Sequence, residues 1–244
     1  MMLTKIVVQP APLRNQVAEQ LREAMMSGLL PPGQRLNERE LCEQMGVSRT
    51  SIREALRSLE SQGLVTSVPH RGVVVALLSR KETVDNYATR GALEGLLVRQ
   101  FVRNADLQKV ARLRQVVEQL DRQNRQFNIL SYVRLKTDFY EVLMDGADNA
   151  VAAGVLRLIH ARVAQLWATS LSRNGRAEQS VVEISRLVDA VEARDEQRAF
   201  DLCMAHNASA LHNTLEIIDN GIGSLDSEPS AGRSVRRKAA RAIS

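Results

Sequence analysis

Hydrophobic positions recur at two spacings along this chain, and the change between them organises it. Over residues 11–27, Val17, Leu21, Ala24 and Met25 fall on one helical face, and the predicted helix stops at Gly28. Leu30-Pro31-Pro32-Gly33 reads as a turn. Asn37 is placed to cap a short helix, with Glu40 three residues on in capping-box position, and Gly46 breaks that helix. Ser48 caps the next helix, which buries Ile52, Leu56 and Leu59 and ends at Gly63. The spacing then becomes strand-like. Leu64-Val65-Thr66-Ser67-Val68 and Val73-Val74-Val75-Ala76-Leu77 flank a turn at Pro69-His70-Arg71-Gly72. Three helices followed by a β-hairpin predict a winged helix-turn-helix over residues 1–78.

From Ser79 the pattern is helical throughout. Five of the six prolines lie at or before Pro69 and the sixth is Pro229, so the intervening run is free of the strongest helix breaker. Six helices are expected, near 80–103, 106–126, 129–144, 148–172, 177–194 and 195–219. Leu107, Val110, Leu113, Val117 and Leu120 form a core-facing stripe. Asp106, Asn128, Asp148 and Asp195 are the expected start residues. The fold class is therefore mainly α: the winged helix-turn-helix, then an all-α six-helix bundle over 79–221. Residues 222–244 are Gly-, Ser-, Ala- and Arg-rich and are expected to be a disordered basic tail.

Composition changes this picture little. With 244 residues and 44% hydrophobic content, the chain has room for two packed domains. Cys42 and Cys203 form no CxxC and suit a reducing cytoplasm. No apolar run approaches the roughly 18–20 residues of a membrane helix. Met1 to Pro12 does not read as a secretory leader, so a cytoplasmic protein with no membrane association is expected. The net charge of +5 sits at the ends: +2 over 1–78, zero over 79–225 and +3 over 226–244. That distribution permits a polyanionic partner.

The span Asn37 to Gly63 carries the most chemistry. Arg49 and Arg53 are one helical turn apart at the start of the second helix, so they share a face. Arginine pairs bidentately with guanine in the major groove. Ser48, Thr50 and Ser51 are short hydroxyl residues suited to phosphates at a helix N-terminus. Arg39 extends the set from the first helix, and His70, Arg71 and Gly72 form an exposed basic hairpin tip suited to the minor groove. Double-stranded DNA is the partner these features predict. No P-loop, nucleophile elbow or HExxH is present, so no enzyme class is indicated.

At these residues the chain resembles a known family. Gly28-Leu-Leu-Pro-Pro-Gly-Gln-Arg-Leu-Asn-Glu-Arg-Glu-Leu and Gly46-Val-Ser-Arg-Thr-Ser-Ile-Arg-Glu-Ala-Leu-Arg-Ser-Leu-Glu-Ser-Gln-Gly-Leu-Val are similar to the GntR family of bacterial regulators. The resemblance implies operator contacts at Arg39, Arg49 and Arg53, a wing-tip contact at His70 and Gly72, and a homodimer on a palindromic operator. The helical half resembles, more faintly, the FCD class of ligand domains in the FadR-like branch. The carriers are Arg90-x-x-x-Glu94, Glu183 and Ala190-Val-Glu-Ala-Arg-Asp195, and six helices suit the VanR-like subgroup.

Many FCD domains hold a divalent metal through one Asp and three His beside a bound carboxylate. The positions matching those ligands carry Lys136, Tyr140 and Ile184, and only His206 keeps a ligand-type side chain. Asp138 is two residues from the matching place and points to another face. One imidazole beside an ammonium cannot hold Zn²⁺, so no metal or other cofactor is expected. Lys136 and Tyr140 lie at i, i+4 and, with His206 and Arg90 or Arg162, can line one cavity for a small carboxylate effector. The competing reading is that Lys136 is solvated, Tyr140 a core residue and His206 a relic, leaving a domain that only dimerises. Phe101 and Trp167 read as packing residues, and His160 and His212 fit no pattern. The tail Arg233 to Arg241 adds either non-specific phosphate contacts or solubility. The resemblance implies a regulator, most often a repressor released by its ligand.

Overall fold

The structure, a computed structural model, describes residues 12–26, 28–124, 128–171 and 175–222. The expected basic tail lies outside the described residues from 223 onward, as does the side chain of Trp167.

Helix α1 (Pro12–Met26) begins on proline, whose missing N–H costs nothing at the first helical position. It buries Val17, Ala18, Leu21 and Met25. The expected face is thus rotated slightly, with Ala18 fully covered and Ala24 only half-buried. Asn37 caps α2 (Glu38–Met45) by accepting from the Arg39 N–H at 3.0 Å. Glu40 bonds the Asn37 side-chain amide at 2.9 Å, so the reciprocal arrangement runs through side chains rather than through the cap's backbone N–H. Gly46 takes φ 64, the left-handed turn that ends α2 and starts the next helix. Ser48 then caps α3 (Arg49–Ser61), accepting from the Ser51 N–H at 3.2 Å.

The hairpin follows as β1 (Val65–Val68) and β2 (Gly72–Val75), antiparallel, pairing Val65 with Val75 and Val68 with Gly72. Residues 33–36 run along β2 and bond it through Gly33, Gln34 and Leu36, with Arg35 bridged to Val74. The Pro31-Pro32-Gly33 turn therefore delivers extra backbone to the hairpin edge. The Ser67 N–H donates to Glu60 at 3.0 Å, which ties the wing to α3.

Six helices make the second half: α4 (Arg80–Asn104), α5 (Leu107–Asn124), α6 (Ile129–Ala147), α7 (Ala150–Leu171), α8 (Arg176–Glu192) and α9 (Glu196–Ile217), the last running into a π-helical turn at Ile218–Ile222. Ser79 and Glu82 form a full capping box at the start of α4. Asp106, Asn128 and Asp195 each accept a backbone N–H near the start of a helix, as their spacing predicts. Asp148 does not. It sits at φ 56 as the C-cap of α6, and Asn149 caps α7 instead. Asparagine and aspartate both tolerate the left-handed region, so the pair Asp148-Asn149 divides an end and a start between them. The stripe on α5 buries Val110, Leu113, Val117 and Leu120, but Leu107 is 79% exposed because it lies in the first turn, beyond the reach of the bundle.

Two separate hydrophobic clusters result. One fills the winged helix-turn-helix, and the other fills the bundle around α4, which packs on α6, α7 and α9. Each contributes a residue to the other: Met26 of α1 packs against the bundle core, and Ala161 of α7 packs against the winged-helix core. Arg134 also reaches Glu23 of α1 at 2.5 Å. No described helix is long and apolar enough to cross a membrane.

Gly146 is required by close approach. A Cβ at Gly146 on α6 would lie 2.2 Å from Phe101 Cε2 and 3.2 Å from Ala105. Phe101 is fully buried and cannot retreat. Gly146→Ala is therefore expected to destabilise by about 1–3 kcal/mol, although alanine is the better helix former by about 1 kcal/mol. Urea unfolding measures the difference; an unchanged or higher midpoint would contradict the packing described.

Candidate nucleic-acid interface and buried charge cluster

The helix-turn-helix presents its arginines outward. Arg39, Arg49, Thr50, Arg53, His70, Arg71 and Gly72 are all exposed, Ser48 is exposed as the cap, and Ser51 is half-buried beneath it. The apolar side of α3 explains this: Ile52, Ala55, Leu56 and Leu59 are buried, which fixes the rotation of the helix and turns Arg49 and Arg53 away from the core. Arg53 Nε donates to Glu38 at 2.7 Å, and Arg39 lies 3.7 Å from Glu43. Both pairs are solvent-exposed and worth about 0–1 kcal/mol, so an incoming phosphate or base edge can displace the carboxylates at little cost. The wing tip is shaped by backbone: His70 sits at φ 63 and Gly72 at φ 79, and the Arg71 N–H donates to Val68 O. The sequence reading omitted Arg57, which continues the four-residue spacing of Arg49 and Arg53. Arg57 and Arg53 line a groove of about 270 Å³ between α3 and the wing. The repeat of arginine at 49, 53 and 57 was the signal that could have identified it.

The bundle holds a second concentration of charge, this one away from water. Arg90 and Glu94 are wholly buried on α4 and paired at 2.7 Å. Glu94 also takes hydrogen bonds from His160 Nε2 at 2.8 Å and Asn207 Nδ2 at 2.6 Å. Arg90 Nη2 donates to the Tyr140 hydroxyl at 2.7 Å. A second carboxylate, Glu183 on α8, accepts from His206 Nδ1 at 2.6 Å, Arg176 Nη1 at 3.1 Å and Ser209 at 2.8 Å. Lys136 on α6 is 2% exposed and feels both carboxylates and both arginines.

The electrostatics follow from burial and pairing. Burial works against charge on Glu94, but Arg90 and the His160 hydrogen bond outweigh it and hold the carboxyl at about 2. Glu183 is likewise held at about 2 against its burial, by His206 and then Arg176. Burial pushes Lys136 down to about 7, and Arg90 and Arg176 push the same way. Burial also lowers His206, to about 4, despite its bond to Glu183. His206 is therefore neutral near pH 7. Its Nδ1–H donates to Glu183, and Nε2 keeps a lone pair that is buried and has no hydrogen-bond partner.

Of the expected effector residues, the structure brings Arg90, Lys136, Tyr140 and His206 into this cluster. Arg162 does not join it. It is exposed, and its Nε donates to the Gln62 carbonyl at 3.2 Å, because two residues of helical rotation from His160 turn it toward the winged helix-turn-helix. His160, unassigned by the sequence reading, takes the place expected of Arg162. Arg176, Asn207 and Ser209 were also missed. Arg176 and Glu183 lie two helical turns apart on α8, the one sequence signal available for them. His212 lies apart from the cluster, exposed and 3.3 Å from Glu216.

The metal implied for this class of domain does not suit these residues. Ile184 is fully buried in the core cluster, and the one imidazole at a matching position is already committed to Glu183 through Nδ1. Lys136 stands at the sequence position where the resemblance implies a carboxylate ligand, and its buried ammonium is no ligand for a cation. Among the described residues no group of three His, Cys, Asp or Glu side chains is arranged to hold a metal ion.

Comparison with known proteins agrees with both halves. Residues 13–75 match the bacterial regulatory proteins of the gntR family, and residues 85–209 match the FCD domain. The Nta operon transcriptional regulator of Aminobacter aminovorans is 32% identical over 78% of this chain and 89% of its own length. A protein of Paenarthrobacter nicotinovorans described as "Probable D-xylose utilization operon transcriptional repressor" is 28% identical over 82% of this chain and 90% of its own. The fold of Escherichia coli McbR/YncC superposes with a TM-score of 0.73 at 22% identity, covering 86% of this chain and 99% of that one. The chain belongs to the gntR family of DNA-binding transcription regulators, with an FCD domain behind its helix-turn-helix.

Proposed function

We propose that this regulator is a repressor whose operator binding is released by a small organic acid held at the buried charge cluster. The observation that carries the reading is His206 Nε2, a buried polar atom without a hydrogen-bond partner, in a cluster that also buries Lys136. Arg90, Lys136 and Arg176 are buried there beside Glu94 and Glu183, so an anion entering the cluster meets cationic side chains. A carboxylate beside Lys136 favours the protonated form of the lysine and pairs with it. The buried Nε2 lone pair of His206, without a partner, can accept a hydrogen bond from a hydroxyl group that such a ligand carries. The lysine then stands where the family's metal stands and supplies its positive charge. The alternative is that the helical domain only dimerises. The repressor named among the relatives supports the direction of control.

Operator reading is assigned to Arg39, Arg49 and Arg53, with Ser48, Thr50 and Ser51 on phosphates and His70, Arg71 and Gly72 at the wing. Two copies on a palindrome are proposed. Val151, Val155 and Leu158 form an exposed apolar stripe on α7, 81%, 44% and 50% exposed, that suits a second copy of this chain.

Arg49→Ala and Arg53→Ala should each cost about 1–3 kcal/mol of discrimination at one base position, read by fluorescence anisotropy on single-base operator variants. Unchanged preference in both would remove the assignment. Val151→Glu combined with Val155→Glu should give monomers in sedimentation velocity; an intact dimer would place the interface elsewhere. A panel of monocarboxylates should raise the melting temperature, and Lys136→Ala should abolish the shift. A bound anion raises the affinity of Lys136 for its proton, so the bound form holds more protons. Carboxylate affinity should therefore fall as pH rises above about 7, by up to ~tenfold per pH unit. Affinity independent of pH between 7 and 9 would exclude Lys136 as the counter-charge.

A further inference from the structure

Three consecutive residues of α7 face three different surroundings, as a rotation of about 100° per residue dictates. His160 belongs to the charge cluster: its Nε2 is 2.8 Å from Glu94 and its ring centroid is 4.4 Å from that of Tyr140. Ala161 packs against the winged-helix core. Arg162 reaches α3. Its Nε donates to the carbonyl of Gln62, the residue that caps the C-terminus of that helix. Its guanidinium lies so close over Gly63 that a Cβ there would be 2.7 Å from Nε. Gln62 is held from its side chain as well, by Arg22 Nη2 of α1 at 2.9 Å.

The contact at Gln62 has leverage. Helix α3 has 13 residues, so its reading end lies about 20 Å from its held end. A tilt of about 5° at the C-terminus moves Arg49 by roughly 2 Å, more than a bidentate hydrogen bond tolerates. Close-packed interfaces resist such tilts. Here a cavity of about 430 Å³ is lined by residues of α1, α6 and α7, with His160, Ala161 and Gln62 in its wall, so packing between the two halves is incomplete beside this contact. The Arg162 guanidinium is also electrostatically suited to a helix C-terminus.

We propose that His160, Ala161 and Arg162 form a coupling element that transmits the state of the buried charge cluster to the DNA-reading helix, with Arg162 as its output contact. The proposal rests on the chain being a sensing regulator, but the coupling itself requires no ligand. Perturbing Glu94 displaces His160, α7 turns or slides, and the grip of Arg162 on Gln62 and Gly63 resets the tilt of α3. Arg162 is a positioning residue here and touches neither effector nor DNA.

The test is a double-mutant cycle on operator affinity, using the full chain and a duplex selected from a random pool by the wild-type protein. Glu94→Gln keeps shape and removes charge; Tyr140→Phe perturbs the same cluster more gently and serves if Glu94→Gln fails to fold by circular dichroism. The cluster variant should change operator affinity at least ~5-fold in the wild-type background and less than twofold in the Arg162→Ala background. Arg162→Lys, which keeps a donor within reach of Gln62, should restore part of the response; a generic packing defect would not be rescued this way. Equal fold-changes in both backgrounds, or no change from either cluster variant, overturn the proposal. An organic acid that raises the melting temperature and weakens operator binding equally in wild type and Arg162→Ala would leave the sensing reading intact and sink the coupling element. Coupling in the cycle with no acid bound in the thermal screen does the reverse.

Discussion

The ion pair between Arg90 and Glu94 is the interaction around which the helical half is arranged. Both groups are fully buried, and isolated charges in a protein interior cost several kcal/mol each. Neither is tolerable alone, so each recruits further partners. Arg90 draws the Tyr140 hydroxyl from α6; Glu94 draws His160 from α7 and Asn207 from α9. One pair on α4 thereby sets the rotation of three neighbouring helices. Glu183 repeats the device on α8 with Arg176, His206 and Ser209. A hydrophobic core made of Leu, Val and Ala side chains alone tolerates rotated or slipped packings at small cost; two buried carboxylates with fixed donors do not.

Lys136 stands between these two hubs, at the position where the resemblance to metal-holding FCD domains implies a carboxylate ligand. A divalent cation brings two charges and demands several anionic or neutral donors. An ammonium brings one charge that can be put down as a proton. Burial has moved Lys136 to about 7, where both forms are accessible. Near pH 7 the lysine can therefore be neutral or protonated.

The winged helix-turn-helix follows a different economy. Its core is small and apolar, its arginines are exposed, and its ion pairs at Arg39 and Arg53 are weak surface contacts. Exposed cations restrained only by weak pairs remain available to phosphate and base edges. The two halves meet through few groups: Met26 and Ala161 exchanged between cores, Arg134 with Glu23, and Arg162 with Gln62.

Much of this was legible in the chain itself. Helix spacing, the caps at Asn37, Ser48, Asn128 and Asp195, the hairpin at 64–77 and the arginines of α3 are local facts, set by backbone hydrogen bonding within a few residues. The replacement of metal ligands at Lys136, Tyr140 and Ile184 is equally local, since it needs only a register. What the sequence left open was which side chains meet. Periodicity assigns a residue to a face but not to the neighbour that covers it. That depends on helix crossings set by the whole core. Packing, not pattern, brought His160, Arg176 and Asn207 into the charge cluster and turned Arg162 out of it toward the reading helix. The sequence determined the elements and the chemistry of each half; the tertiary structure alone decided how the two halves touch, because that contact joins residues a hundred positions apart.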